Sequence, residues 1–552
     1  MKIKNIVIHN FRSIIDATFT MKDYMLVIGA NNSGKSAVVD AIRAFYEVDK
    51  ESKFVADRDA PKDGSVDKDS WIEITYELSE EEDVSLKEEY RTKDRLLTLH
   101  KCLTGDKAKA GYIFNKGVDG KISDTAFYGA KNVQDGKIGD VIYIPAISKV
   151  DDQTKLSGPS ALRDLVVKIL EGVVEDSEPY QLLTGQVDAF AAQVSKLETE
   201  DHRSLAGFEK GFNESLDAWG TRFALKFNTP SPSEMVKNMV SWSLKDDALK
   251  VEQTVDRYGS GFQRYFIYSL IKLSAQFLPK KKKAKAKDFC PNFTLLLFEE
   301  PEAFLHPQQQ DELSRSLRNI SGNDTWQVMC TSHSSHFVSH SMEDLTSIVR
   351  MRKEGTVSKA YQISDKALNA LLTASFDKTK YPLLFAKCKA SSADMECIKF
   401  AIWMNPARAG VFFAEKVLLS EGATEVAIIN KWVDEAKLEL PPGSSVIDCF
   451  GKFNIFRFMM LMGALGIKHS VIRDKDTSAE HEEWNQLIED SRNSFTDQIA
   501  EMDPDIEGEI GAIPTPPKDR HAKPQNLLWQ YVNGKLPQDK VDAVVGKIKS
   551  LF

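Results

Sequence analysis

The chain has 552 residues, too many for one hydrophobic core, and length alone suggests about three or four domains. A hydrophobic fraction of 42%, a charged fraction of 28% and a net charge of −9 exclude a chain coated in basic surface, but not a local basic groove for nucleic acid. No apolar run approaches the ~20 residues of a membrane span, and the start, MKIKNIVIHNF, has no signal-peptide core. Six scattered cysteines without a C-x-x-C pair argue against a zinc site or disulfide framework, so a reducing cytoplasm and no membrane partner are expected.

Residues 2–9 alternate apolar and polar as a strand does, and Asn10-Phe11-Arg12-Ser13 follows. An arginine there lies either near bound nucleotide or simply at the surface. Met25 to Ile28 then run straight into Gly29-Ala-Asn-Asn-Ser-Gly34-Lys35-Ser36, and Val38, Val39, Ile42 and Phe45 recur at helical spacing. A buried strand, a glycine-bounded loop and a helix start are what a G-x-x-x-x-G-K-[ST] phosphate loop requires. Gly29 and Gly34 permit turns that let the amides of Asn31, Asn32, Ser33 and Gly34 converge on phosphate oxygens. The helix N-terminus adds partial positive charge at the same point. Lys35 would reach the β and γ phosphates and Ser36 would ligate Mg²⁺, so the loop predicts ATP-type nucleotide binding.

Ile72, Ile74, Tyr76 and Leu78 alternate, as do runs near 96–100 and 111–114, and read as antiparallel strands beside the nucleotide site. Val141 to Ile144 reads as another buried strand. Leu162, Leu165, Val166, Ile169 and Leu170 form a helical stripe, either a core helix or a dimer interface. Tyr258 to Arg264 is a glycine-rich turn opening an apolar helix, where Ser260, Gly261 and Gln263 are placed to cap a γ-phosphate from a second subunit. The lysine-rich run 280–287 is either a solvated loop or a DNA phosphate contact.

Phe293 to Phe298 is a buried strand closing on Glu299-Glu300-Pro301-Glu302. In such a motif one acid, Glu299, supports Mg²⁺ directly or through water, and the next, Glu300, polarises the attacking water. Trp326 to Cys330 is a further strand capped by Thr331-Ser332-His333, and a histidine at a strand end either senses γ-phosphate or is structural.

The order phosphate loop, Gly-Ser-Gly-Phe-Gln, Leu-Phe-Glu-Glu-Pro-Glu, Thr-Ser-His resembles the ABC-type ATPases of the SMC and RecF group. The resemblance implies an early arginine motif at Arg12, a signature at Ser260 to Gln263, a switch histidine at His333, and two heads sandwiching two ATP molecules. Further on, Glu421-Gly422-Ala-Thr-Glu425 follows one strand and Asp474-Lys475-Asp476 follows another, which resembles a TOPRIM domain. Carboxylates projecting from adjacent strand ends can hold Mg²⁺ or Mn²⁺ against a phosphodiester.

An ABC-type ATPase fused to a C-terminal TOPRIM domain resembles the OLD (overcoming lysogenization defect) family, which includes the Gabija nuclease subunit. The resemblance implies that Glu421, Glu425, Asp474 and Asp476 are metal ligands, that Glu507 adds an acid, and that Lys523, in Lys523-Pro524, stabilises the scissile phosphate. The fold implied is α/β: an SMC/RecF-like P-loop ATPase with a helical insertion, then a Rossmann-like TOPRIM domain. The expected division is an N-terminal ATPase lobe over 1–155, an insertion for dimerisation over 156–245, a C-terminal ATPase lobe over 246–375, a linker over 376–410 and the TOPRIM domain over 411–552. The implied activity is an ATP-regulated, metal-dependent DNA endonuclease in bacterial antiphage defence, assembled as a homodimer or higher homo-oligomer. A partner protein or nucleic acid from the same defence operon is a further expectation. The alternative is an ATP-sensing DNA clamp whose TOPRIM domain binds without cleaving.

Overall fold

A computed structural model describes residues 1–146 except 105–109 and 130–136, residues 289–552 except 323, 340, 373–375, 388–405 and 477, and short stretches between 170 and 273. The chain divides into two compact units, Met1–Ala146 with Lys285–Phe552, and Ile147–Ala284.

The first unit begins with β1 (Lys2–Phe11), β2 (Ile14–Thr20) and β3 (Tyr24–Ile28), followed by helix α1 (Lys35–Tyr46). All five residues of β3 are buried, as a strand covered on both faces must be. Next come β4 (Trp71–Glu77), β5 (Leu96–Cys102), β6 (Ile113–Lys116), β7 (Ile122–Ala126) and β8 (Asp140–Ile144). The alternating run at Ile72 to Tyr76 becomes β4, which pairs antiparallel with β1 and β5, the wing expected from the alternation. β8 is only half-buried, because it lies at the sheet edge beyond the strand that carries the paired acids.

In the second unit, helices α2 (Glu178–Val194) and α3 (Leu205–Leu216) precede the two-residue strands β9 (Leu244–Lys245) and β10 (Glu252–Gln253), which pair antiparallel. Leu162, Leu165, Val166 and Ile169 of the expected stripe lie outside the described residues, as do Ser260 and the lysine run at 280–287. Gly261 and Gln263 fall in a described helical turn of this unit.

The first unit resumes with β11 (Thr294–Glu299), α4 (Pro307–Ser321), β12 (Trp326–Thr331), β13 (Ile348–Glu354) and β14 (Val357–Gln362). Among the described residues twelve strands form one sheet, ordered β7-β6-β5-β4-β1-β2-β14-β13-β3-β12-β11-β8. The centre, β13-β3-β12-β11-β8, is parallel, so the ends of β3, β11 and β12 open onto one edge. α1 is buried nearly all round, with Val38, Val39, Ile42 and Phe45 packed in the main core.

The C-terminal part forms its own four-stranded parallel sheet, ordered β16-β15-β17-β18. Its elements in chain order are β15 (Lys416–Ser420), α5 (Ala423–Asp434), β16 (Ser444–Asp448), α6 (Lys452–Ala464), β17 (Lys468–Asp474), α7 (Ala479–Asp490), β18 (Thr496–Met502), α8 (Lys523–Val532) and α9 (Gln538–Lys549). Arg350 on β13, 1% exposed, ties this sheet to the larger one. Its guanidinium donates to the carbonyls of Ala414 at 2.7 Å, Gly466 at 3.1 Å and Phe412 at 3.2 Å. Burial lowers its pKa to about 10, so the carbonyls hold a charge that water would otherwise solvate.

Candidate functional site

Two clusters of charged groups stand at strand ends, one on each sheet. At the first, Gly29 and Gly34 take positive φ, +145° and +103°. A Cβ on Gly29 would lie 2.2 Å from the carbonyl oxygen of Met351, so only glycine fits beside β13. The loop between them exposes Asn31 and Asn32, buries Ser33, and delivers Gly34 as the N-cap of α1. The first-turn amides of a helix lack intrahelical acceptors, which makes this an anion cradle. Lys35 lies over the cradle, its Nζ donating to the carbonyls of Gly29 at 3.0 Å and Ala30 at 2.9 Å. Burial pulls Lys35 down to about 8, while Glu300, Glu302 and Glu299 pull the other way. Phosphate oxygens would supply the stronger partner that this ammonium lacks.

Glu299 closes β11 and is buried with Ser36 beside it, so the two residues expected at a magnesium ion lie together. Its Oε2 accepts from the Tyr143 hydroxyl at 2.9 Å, and its Oε1 is buried with no closing hydrogen bond, the kind of oxygen a cation takes. Burial raises its pKa. Glu300 follows with positive φ, 42°, which turns its carboxylate out of the strand to within 3.6 Å of His333 Nε2. Burial and the Lys35 charge lower the His333 pKa. Glu302, to which no role was given in the sequence reading, accepts from the His333 amide at 2.6 Å and so fixes the histidine loop. Tyr143 was likewise missed as a site residue. Arg12 sits at φ 54° with its guanidinium on Asp59 at 2.9 Å and on Asp40 of α1, and so braces the helix that begins at Lys35. Gln263, in the second unit, donates to the Tyr258 carbonyl at 2.7 Å and holds the turn that contains Gly261.

The second cluster stands at the carboxyl ends of the parallel strands β15 and β17, where parallel sheets present ligand sites. Glu421 directly follows β15, Asp474 ends β17, and Asp476 lies two residues on. Glu425, on the first turn of α5, is 4% exposed and accepts from the Gly422 amide at 3.1 Å. Glu507, after β18, pairs with Lys523 Nζ at 2.8 Å, and Asp505 lies 3.5 Å from the same ammonium. The Asp474 amide donates to Glu421 Oε2 at 3.3 Å.

Crowding marks the chemistry of this cluster. Burial, then the neighbouring charges of Glu425 and Glu421, push Asp474 up to about 9. Burial and then Glu421 and Glu507 push Glu425 up to about 7, and burial raises Glu421. Asp474 Oδ1 is buried without a partner. Among the described residues, no three acidic, histidine or cysteine groups converge as tightly as a bound ion would draw them. The donor set nonetheless suits a hard divalent cation: oxygen ligands only, one of them orphaned, with excess negative charge.

Two further residues, outside the expected metal set, shape the site. Lys452, the first residue of α6 and nearly buried, donates to the Asp474 carbonyl and to Asp476 Oδ2, both at 2.7 Å, and lies 3.8 Å from Glu421. Burial works against Asp476 ionising, but the bond from Lys452 wins and its pKa is lowered. His481 Nδ1 lies 2.8 Å from Asp476.

Two family models match the chain: an AAA ATPase domain over residues 1–132 and 187–338, and an overcoming lysogenization defect protein-like TOPRIM domain over 412–476. The chain belongs to that ATPase family and carries an OLD-like TOPRIM domain. It is similar to the Old nuclease of Escherichia phage P2, 23% identical over 505 residues covering 86% of this chain and 77% of that protein. The endonuclease GajA of Bacillus cereus (strain VD045) is 23% identical over 498 residues, 86% of this chain and 75% of that one. Among solved structures, an SmcHead bound to the C-winged helix domain of ScpA aligns at TM-score 0.40 and 13% identity, covering 67% of this chain and all of that one. Stu0660 of Streptococcus thermophilus also aligns at TM-score 0.40, with 8% identity, covering 94% of this chain and 99% of that one. Among the described residues no helix is long and apolar enough to cross a membrane.

Proposed function

We propose that the chain is an ATP-regulated, divalent-metal-dependent DNA endonuclease that works as a homo-oligomer. The observation that carries this reading is the acid cluster at the ends of β15 and β17, where Asp474 has a buried Oδ1 without a partner and is pushed up to about 9. So many carboxylates repel a phosphodiester unless a cation compensates them. Glu421, Glu425, Asp474, Asp476 and Glu507 would hold Mg²⁺ or Mn²⁺, which supplies charge compensation and Lewis acidity to phosphodiester hydrolysis. Lys452 orients Asp474 and Asp476, and Lys523 stands where it can meet negative charge on the scissile phosphate.

At the other site, the loop amides, Lys35 and Ser36 would bind ATP with Mg²⁺, with Glu299 supporting the ion. Glu300 would polarise the attacking water while His333 contacts the γ-phosphate. Arg12 acts through Asp40 on α1. Ser260, Gly261 and Gln263 would serve the nucleotide of a second copy, which is why a homodimer is part of the proposal. The names of the relatives, nuclease and endonuclease, support nucleic-acid cleavage; DNA as the substrate and a role in bacterial antiphage defence rest on the family resemblance alone. The test is plasmid and linear DNA incubated with the purified chain in Mg²⁺ or Mn²⁺, with and without ATP. Cutting that needs the metal and responds to ATP is expected. No cutting in any metal, DNA form or nucleotide state would instead favour a clamp that binds DNA intact.

A further inference from the structure

From the turn after β16 into the first turn of α6 the chain reads Phe450-Gly451-Lys452-Phe453. Lys452 points inward onto Asp474 and Asp476, while the phenylalanines on either side face solvent, 48% and 52% exposed. The segment is pinned to the acid site, since the Gly451 amide donates to the Glu421 carbonyl at 2.7 Å. Phe450 is held in the left-handed region at φ 55° and Gly451 at 101°, conformations that cost free energy for a bulky residue and are kept only where the surroundings impose them. A Cβ on Gly451 would lie 2.7 Å from the Phe453 ring, so the glycine leaves room for that ring at the rim. The Arg408 guanidinium lies 4.5 Å over the Phe450 ring and 3.1 Å from Asp448, at the end of the strand beside β15. An arginine and two exposed rings thus border the acids that would hold the metal.

Resting on the nuclease reading above, we infer that Phe450 and Phe453 are a base-stacking platform, and that the TOPRIM site takes DNA whose bases are unpaired beside the cut phosphate. Outward aromatic rings are one means by which proteins bind single strands, because every base has a face that can lie on a ring. A closed duplex offers no such faces, because its bases already stack on one another. The substrate class is therefore single-stranded, gapped or flapped DNA, with one or two bases drawn onto the rings while a phosphate rests at the acids.

The test uses the full chain and a fluorescein-labelled single-stranded oligonucleotide, alone or annealed to its complement. Binding is read by anisotropy in Ca²⁺ and cutting in Mg²⁺. The variants are Phe450→Leu, Phe453→Leu, the double substitution, and Phe450→Trp. Leucine keeps apolar bulk and removes the π face; tryptophan keeps the face. Each leucine should weaken single-strand binding about 5- to 150-fold while duplex binding, carried by phosphate contacts, stays within about 3-fold. Phe450→Trp should bind like wild type, and the double variant should lose its preference for cutting single strands. Unchanged single-strand binding by the double variant overturns the inference, as does an equal loss on both DNA forms. A change of sedimentation with DNA binding intact also overturns it, by assigning the rings to a second copy of the chain. If wild type cuts nothing, the nuclease reading falls, and binding in Ca²⁺ still judges the platform by itself.

Discussion

Replacing Arg350 by methionine removes the guanidinium that joins the two sheets and keeps an unbranched apolar chain in its place. Three buried carbonyls, of Ala414, Gly466 and Phe412, lose a cationic donor. An orphaned buried acceptor costs about 1–3 kcal/mol, so the gross loss is about 3–9 kcal/mol. Against this, a buried guanidinium whose pKa has fallen from 12.5 to about 10 already carries a desolvation cost of about 3 kcal/mol, which methionine does not. The difference is about 0–6 kcal/mol of local destabilisation, with its middle at about 3 kcal/mol. Arg350 lies opposite Ile28 in the β13–β3 ladder, and its acceptors flank β15 and end α6, so the loss should stay near that seam. Native-state hydrogen exchange reads it directly: amides at 409–420 and 461–468 should exchange faster, on the order of 10²-fold at the middle of that range, while those of β4 and β5 stay near wild type. Unchanged exchange at both seams in a folded variant would refute the reasoning.

Lys35→Ala should abolish ATP binding in a filter or fluorescence assay, whereas Glu300→Gln should bind ATP and turn it over slowly; turnover at the wild-type rate by the glutamine variant would show that another group polarises the water. In chelator, Asp474 binds its proton in the folded state up to about pH 9 but releases it near 3.8 when unfolded. Stability of the metal-free protein should therefore fall as pH rises across that window, by up to about 1.4 kcal/mol per pH unit. The melting temperature of Asp474→Asn should exceed that of wild type by a margin that widens from pH 6 to pH 8.5, and a constant or narrowing margin contradicts this. With ATP at micromolar protein concentration, sedimentation should show a dimer or larger; a 62.0 kDa monomer alone would remove the shared-nucleotide arrangement.

What was legible in the sequence was local. Met25 to Ser36 fixes its own strand, turn and helix within a dozen positions, and β11 and β12 announce themselves as short apolar runs closing on polar residues. Glu421 and Asp474 could be singled out because each stands at a strand end, whereas Glu425, on α5, and Glu507 entered through the family resemblance. The half-burial of β8 was not legible, since position within a sheet leaves no mark on the strand's own pattern. Tyr143 was missed because its partner Glu299 is 156 positions away, and Arg350 because its acceptors lie 62 to 116 positions on. Nothing in a lone arginine on a strand distinguishes a buried strut from a surface charge. Nothing in the sequence ties Lys452 to the acids: its ammonium faces Asp474 and Asp476, and only the folding of β17 beside α6 reveals that. Glu302 stood in plain view beside Glu299 and Glu300, but its bond to the His333 amide crosses between strands.

The central claim is that the chain houses two separable phosphate chemistries, one at each cluster. Plasmid cleavage and ATP turnover measured on one preparation of Asp474→Ala test it most directly. Loss of the residue at the centre of the acid cluster should cut cleavage by about 10³-fold or more, because ~4 kcal/mol of transition-state stabilisation is about three decades. ATP turnover should stay at the wild-type rate, since no nucleotide motif lies beyond residue 411. Cleavage at the wild-type rate, or ATP turnover that falls with cleavage, would contradict the account.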